Sequence, residues 1–156
     1  VDDTNSTSLS KGSKRRAKVT SEHVVEDGSH WINASHDGYL TSLGLTHFRR
    51  LFMTANGEDI RGEDSLEGPA NIGYTIRFHL HPKLRVSVLH NQSSALLKLP
   101  NGEGWRLRVS GAEMKLMDSI YLGDGGDLKR SQQIVLSGET VENITSVKWA
   151  LRRERK

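Results

Sequence analysis

The chain has 156 residues, with 22 Lys and Arg against 19 Asp and Glu and no cysteine. A domain of this length buries roughly two-thirds of its unfolded surface, so a true hydrophobic core is within reach. Lack of cysteine excludes a disulfide framework, a thiolate nucleophile and Cys-based zinc sites, and a net charge of +3, held mostly in residues 11–18 and 152–156, does not mark a nucleic-acid binder. No apolar run approaches the ~18 residues of a membrane span, so no membrane partner is expected.

In chain order, residues 1–16 read as a flexible N-terminal loop or tail, because Ser, Thr, Asn, Gly and basic residues surround a lone Leu9. From Ala17 the pattern changes to short alternating runs separated by Gly, Asn and Asp, which predicts antiparallel strands over 17–152 and leaves 153–156 as a tail. Along 45–54, Leu45, His47, Arg49, Leu51 and Met53 share one face, and Thr46, Phe48, Arg50 and Phe52 the other. Both faces are partly apolar, which predicts cover on both sides, from the N-terminal loop or from a domain outside the chain. Arg50 is then expected beside the core, paired with Asp59, Glu63 or Asp64 beyond the Asn56-Gly57 hairpin turn. Next, Tyr74, Ile76, Phe78 and Leu80 alternate with Thr75, Arg77, His79 and His81, the pattern of a half-buried strand.

A turn at Pro100-Asn101-Gly102 separates 95–99 from a strand carrying Trp105, Leu107 and Val109. Asp124-Gly125-Gly126-Asp127 marks a further break, and Val147, Trp149 and Leu151 define a last strand. No stretch sustains a helical period. The fold class is therefore all-β, an antiparallel, two-layer β-sandwich with little or no helix.

Four of the seven histidines fall within residues 36–82. His36, Tyr39 and His47, with Arg49 and Arg50, are the residue types that proton abstraction beside a neutralised carboxylate requires, and they serve equally well as structural groups at a domain contact. His79-Leu80-His81 places two imidazoles on one strand face, a pair a metal could use if a third ligand came from His47 or Asp64. A His-x-His pair on a strand more often hydrogen-bonds to loops, so no metal site is expected. There is no Gly-x-Ser-x-Gly elbow and no phosphate-binding strand–helix motif.

Taken in order, His36-Asp37-Gly38-Tyr39, Gly44-Leu45-Thr46-His47-Phe48-Arg49-Arg50, Asp64-Ser65-Leu66-Glu67-Gly68 and Arg77-Phe78-His79-Leu80-His81-Pro82 resemble the C-terminal β-domain of bacterial heparinase II/III-like proteins. Gln133-Ile134-Val135-Leu136-Ser137-Gly138 and Val147-Lys148-Trp149-Ala150-Leu151 look like its closing strands, so the resemblance covers about residues 1–152. It implies a sandwich of the lyase C-terminal type, following an α/α toroid that this chain lacks. In the full-length parent, an acidic polysaccharide of the glycosaminoglycan kind would lie in the cleft between them and be cleaved by β-elimination.

The same resemblance places the catalytic Asn and Tyr on the toroid and the catalytic or metal-binding histidines at the front of the β-domain. The last of these lies in a His-Ser/Asn-Thr segment that would end just before Val1. It follows that no catalytic residue is expected in this chain, that the fragment alone is inactive, and that any divalent metal belongs to the full-length parent, with no cofactor here. His36, Tyr39, His47 and Arg49 are the candidates for contact with substrate or with the toroid, and the family implies a periplasmic bacterial protein. The alternative is a non-catalytic carbohydrate-binding or structural module, using Arg49 and Trp105 on an acidic glycan.

Overall fold

The computed structural model describes residues 1–2, 4–7, 16–89, 93–123 and 128–154, and among these forms eleven strands and one helical turn. The strands are β1 (Val19–Glu26), β2 (Ser29–Tyr39), β3 (Leu45–Met53), β4 (Asp59–Gly68), β5 (Gly73–His79), β6 (Arg85–Val88), β7 (Ser94–Lys98), β8 (Gly104–Ser110), β9 (Glu113–Leu122), β10 (Leu128–Glu139) and β11 (Asn143–Arg153). The helical turn, α1 (Leu40–Leu43), ends at Gly44, whose φ of 69° closes it in the left-handed region. An eight-stranded sheet in the order β1-β2-β3-β4-β11-β8-β7-β6 faces a three-stranded sheet in the order β5-β10-β9. All neighbours are antiparallel. The all-β, two-layer sandwich is the fold the alternation demanded.

The core lies between the sheets, because strands other than the fully exposed β1 turn their apolar alternate residues inward. Leu45, Ile134 and Leu136 are fully buried, with Met114, Val147, Leu66, Tyr74, Leu107 and Val109 around them. Burying one such Leu contributes about 2–3 kcal/mol. The chain crosses between sheets at corners tied by specific hydrogen bonds. Buried Thr140 donates its hydroxyl to Pro69 O and accepts from Ile72 N, and the Tyr74 hydroxyl donates to Gly111 O. The two hairpin turns expected from sequence fall at Asn56-Gly57, between β3 and β4, and at Pro100-Asn101-Gly102, between β7 and β8; a further one at Asp27-Gly28 joins β1 to β2.

Two readings need correction. Arg50 does not sit beside the core: it is exposed on the outer face of the large sheet, and Arg49 is the arginine that turns inward to meet Asp64. The antiparallel register explains this, since Arg49 is directly opposite Asp64 and Arg50 opposite Glu63. No described residue covers the outer face of β3, where the expected cover was the N-terminal loop or a domain outside the chain. Phe48 and Phe52 line an open groove of about 1460 Å³ there, where Phe52 packs on Trp31 at 4.3 Å and lies under the Arg61 guanidinium. At the C-terminus, β11 continues through Arg153, because Arg153 bridges Glu58 and Glu103 and Glu154 pairs with Arg106. The break at 124–127 and residues 8–15 of the N-terminal segment lie outside the described residues. Residues 1–7, where described, are tied down: Asp2 N donates to Gly73 O, and Ser6 packs against Gly38.

Candidate functional site

The inner face of the large sheet gathers His36, Tyr39, His47 and Arg49 around one cavity of about 190 Å³, next to Val1, Asp64, Tyr74 and Arg77. Strand geometry places each of them. Leu45, His47 and Arg49 alternate inward along β3, and Arg49 faces Asp64 of β4. His36 of β2 is directly opposite His47. His36 and Tyr39 are three residues apart and in a regular strand would point to opposite faces. A β-bulge between them inserts one residue into β2, so the register shifts from His36↔His47 to Tyr39↔Leu45 and both rings face inward. Their ring centroids lie 5.3 Å apart, and those of His36 and His47 4.9 Å apart.

Asp64 is the hub, with a side chain only 3% exposed. Its Oδ1 accepts from Arg49 Nε at 2.7 Å and from His47 Nε2 at 2.8 Å, and its Oδ2 accepts from the Trp149 indole Nε1 at 3.0 Å. Burial by itself would raise the Asp64 pKa; the hydrogen bonds from His47, Arg49 and Trp149 and the Arg49 charge outweigh it and hold the carboxyl below its usual value. Trp149 reaches Asp64 because it lies flat across Gly62, where a Cβ would stand 2.1 Å from the indole.

The imidazoles form a directional chain. The Gly38 N–H can only donate, so His36 Nδ1 accepts (3.3 Å) and its Nε2–H donates to His47 Nδ1 (3.1 Å). His47 then carries its proton on Nε2, facing Asp64. These tautomers follow from the hydrogen-bond network. A proton added to His36 Nδ1 would set its N–H against that of Gly38. In keeping with this, burial and then electrostatic repulsion from His47 and Arg49 lower the His36 pKa, despite opposing attraction from Asp37.

The cavity brings Arg49 and Arg77 beside the two imidazoles, groups able to donate to a small acidic or polar group. Trp149 and Tyr74 complete the site without having been chosen as candidates from sequence, and Asp64, considered there as a partner for Arg50 or a third metal ligand, pairs with Arg49 and His47 instead. The readable signal for Asp64 was the hairpin: counting outward from Asn56-Gly57 pairs Arg49 with Asp64 and leaves a lone carboxylate on the apolar face of β4. Trp105, the other candidate contact, is half-buried against the core, remote in register from this cluster.

His79 and His81 are held separately. His79 Nδ1 bonds Ser119 Oγ at 2.9 Å, and His81, beyond the end of β5, accepts from Lys83 N and sets its ring edge-on to Tyr121. His47 and Asp64 are spent on each other. Among the described residues, no group of three or more His, Asp or Glu is poised to hold a metal ion.

Fold and site together define an antiparallel two-layer β-sandwich with a polar cluster walled into one end of its core. The family model for the heparinase II/III-like C-terminal domain matches residues 1–150, and the chain belongs to that family. Among solved structures, heparan sulfate lyase HepC from Pedobacter heparinus superposes with a TM-score of 0.77 at 8% identity, over 89% of this chain and 22% of that one. A heparinase III gene product gives 0.71 at 15% identity, over 87% and 22%. In sequence, FtsZ-localized protein C of Caulobacter vibrioides is 35% identical over 147 residues, 86% of this chain and 25% of that protein. The chain thus spans about a quarter of the length of these relatives. No helix among the described residues is long and apolar enough to cross a membrane.

Proposed function

We propose that the chain is the C-terminal β-sandwich of a longer heparinase II/III-like lyase, in which the cluster of His36, Tyr39, His47 and Arg49 forms one wall of a cleft for an acidic glycan. The observation that carries this reading is the convergence of all four around one cavity at Val1, the place where polypeptide ahead of residue 1 would arrive. Catalytic groups and any divalent metal belong to the preceding toroid and the front of the β-domain. The periplasm is the compartment that fits such a lyase. In the parent, β-elimination needs the uronate carboxylate neutralised before its α-proton leaves, and Arg49 is placed to assist from this wall.

The chain alone is expected to produce no unsaturated uronate from heparan sulfate, read as absorbance at 232 nm in ordinary lyase assays on the order of hours. In the parent, Arg49→Ala should lower kcat/KM by about ten- to a hundred-fold. Turnover by the isolated chain, or an unchanged parent variant, would count against the reading.

The 35% identity to an FtsZ-localized protein favours a second reading, a non-catalytic module with a structural or carbohydrate-binding role. A fluorescently tagged parent gathering at the bacterial division site, together with no lyase turnover, would select it.

A further inference from the structure

We propose that the open edge of β5 receives one more antiparallel strand, supplied by the polypeptide that precedes residue 1 in the longer protein; this rests on the reading that the chain is part of such a protein. Among the described strands, β5 pairs with β10 on one side only. The bonds beyond its two ends, Leu80 N to Gln132 O and Ile72 O from Thr140 N, show that even-numbered residues bond to β10. Alternation then aims the N–H and C=O groups of Thr75, Arg77 and His79 at the open edge.

The first rung of an added strand is already present. Asp2 N donates to Gly73 O at 2.9 Å, and Val1 packs against the core beside the Thr75–Arg77 stretch. The chain therefore descends along β5, antiparallel to it, before turning at Thr4 and crossing to Gly38, where only a glycine admits Ser6. Continuing that register backwards sets the first, third and fifth residues ahead of Val1 opposite Thr75, Arg77 and His79. An unprotected edge of this kind is a standing template for pairing, and β5 carries no proline to block it. The added strand would roof the cavity over His47 and Arg49, so the preceding polypeptide would complete the wall.

Residue-resolved amide exchange tests this on two proteins: this chain, and the chain extended by about ten residues of its own upstream sequence, roughly the reach of β5 and its approach. In the shorter chain, the Thr75, Arg77 and His79 amides should exchange about ten-fold or more faster than those of Ile76 and Phe78. In the extended chain they should slow by a similar factor, and Arg77→Pro should abolish the slowing while leaving the shorter chain folded. Equal exchange in both proteins would overturn the proposal, as would slowing in the shorter chain that grows with its concentration, which would mean that a second copy occupies the edge. Absence of lyase turnover in the full-length parent, with the slowing intact in the extended chain, would refute the glycan-wall reading alone.

Discussion

Asp64 shows how far one buried carboxylate organises its surroundings. Arg49 and His47 of β3 and Trp149 of β11 all donate to it. Trp149→Phe keeps the ring over Gly62 and against Phe78 but removes the indole donor. It should cost about 1.5–3 kcal/mol, the range for a hydrogen bond to a charged group, measurable by urea unfolding. The pH dependence has a definite sign. Both His36 and Asp64 have folded pKa values below their unfolded ones, so the unfolded chain binds more protons and stability rises with pH. The His36 contribution is present above about pH 6.5 and falls away below it; the Asp64 contribution is lost further down, as pH falls below about 4 towards the lowered folded value. His36→Gln should flatten the upper part of that decline in thermal melts between about pH 5 and 7, and an unchanged slope would show that His36 does not titrate as described.

At the level of elements, the site depends on two irregularities. The bulge in β2 turns His36 and Tyr39 to the same face, and Gly62 leaves room for an indole. Gly62→Ala forces Trp149 off its seat and should destabilise the domain by about 1–3 kcal/mol, with loss of the indole N–H protection in exchange. The alternation in sequence was sufficient to predict β3 and β5 and which of their residues share a face. It could not show the bulge, because an inserted residue is visible only against the partner strand that skips it. For the same reason Arg50 was assigned the inward role that Arg49 holds: both arginines suit an acidic partner, and only the register decides which one meets Asp64.

For the whole molecule, both sheets share one core, so unfolding should be a single cooperative transition. Leu136, fully buried on the central strand of the small sheet, is the most direct probe. Leu136→Ala should cost about 2–5 kcal/mol and lower the denaturant midpoint without splitting the transition. Two separate transitions would mean that the small sheet melts by itself.

The sequence by itself determined the all-β sandwich, two of its hairpin turns and its family, because period-two alternation and turn residues are local properties that survive without knowledge of partners. It also picked out His36, Tyr39, His47 and Arg49 by residue type. Tertiary structure alone decided that these four meet at one cavity around Asp64, that His79 and His81 stand apart, and that β5 keeps an open edge beside Val1. Each of those outcomes depends on which strand lies next to which and in what register, and pairing between distant segments leaves no mark in the local pattern of either one.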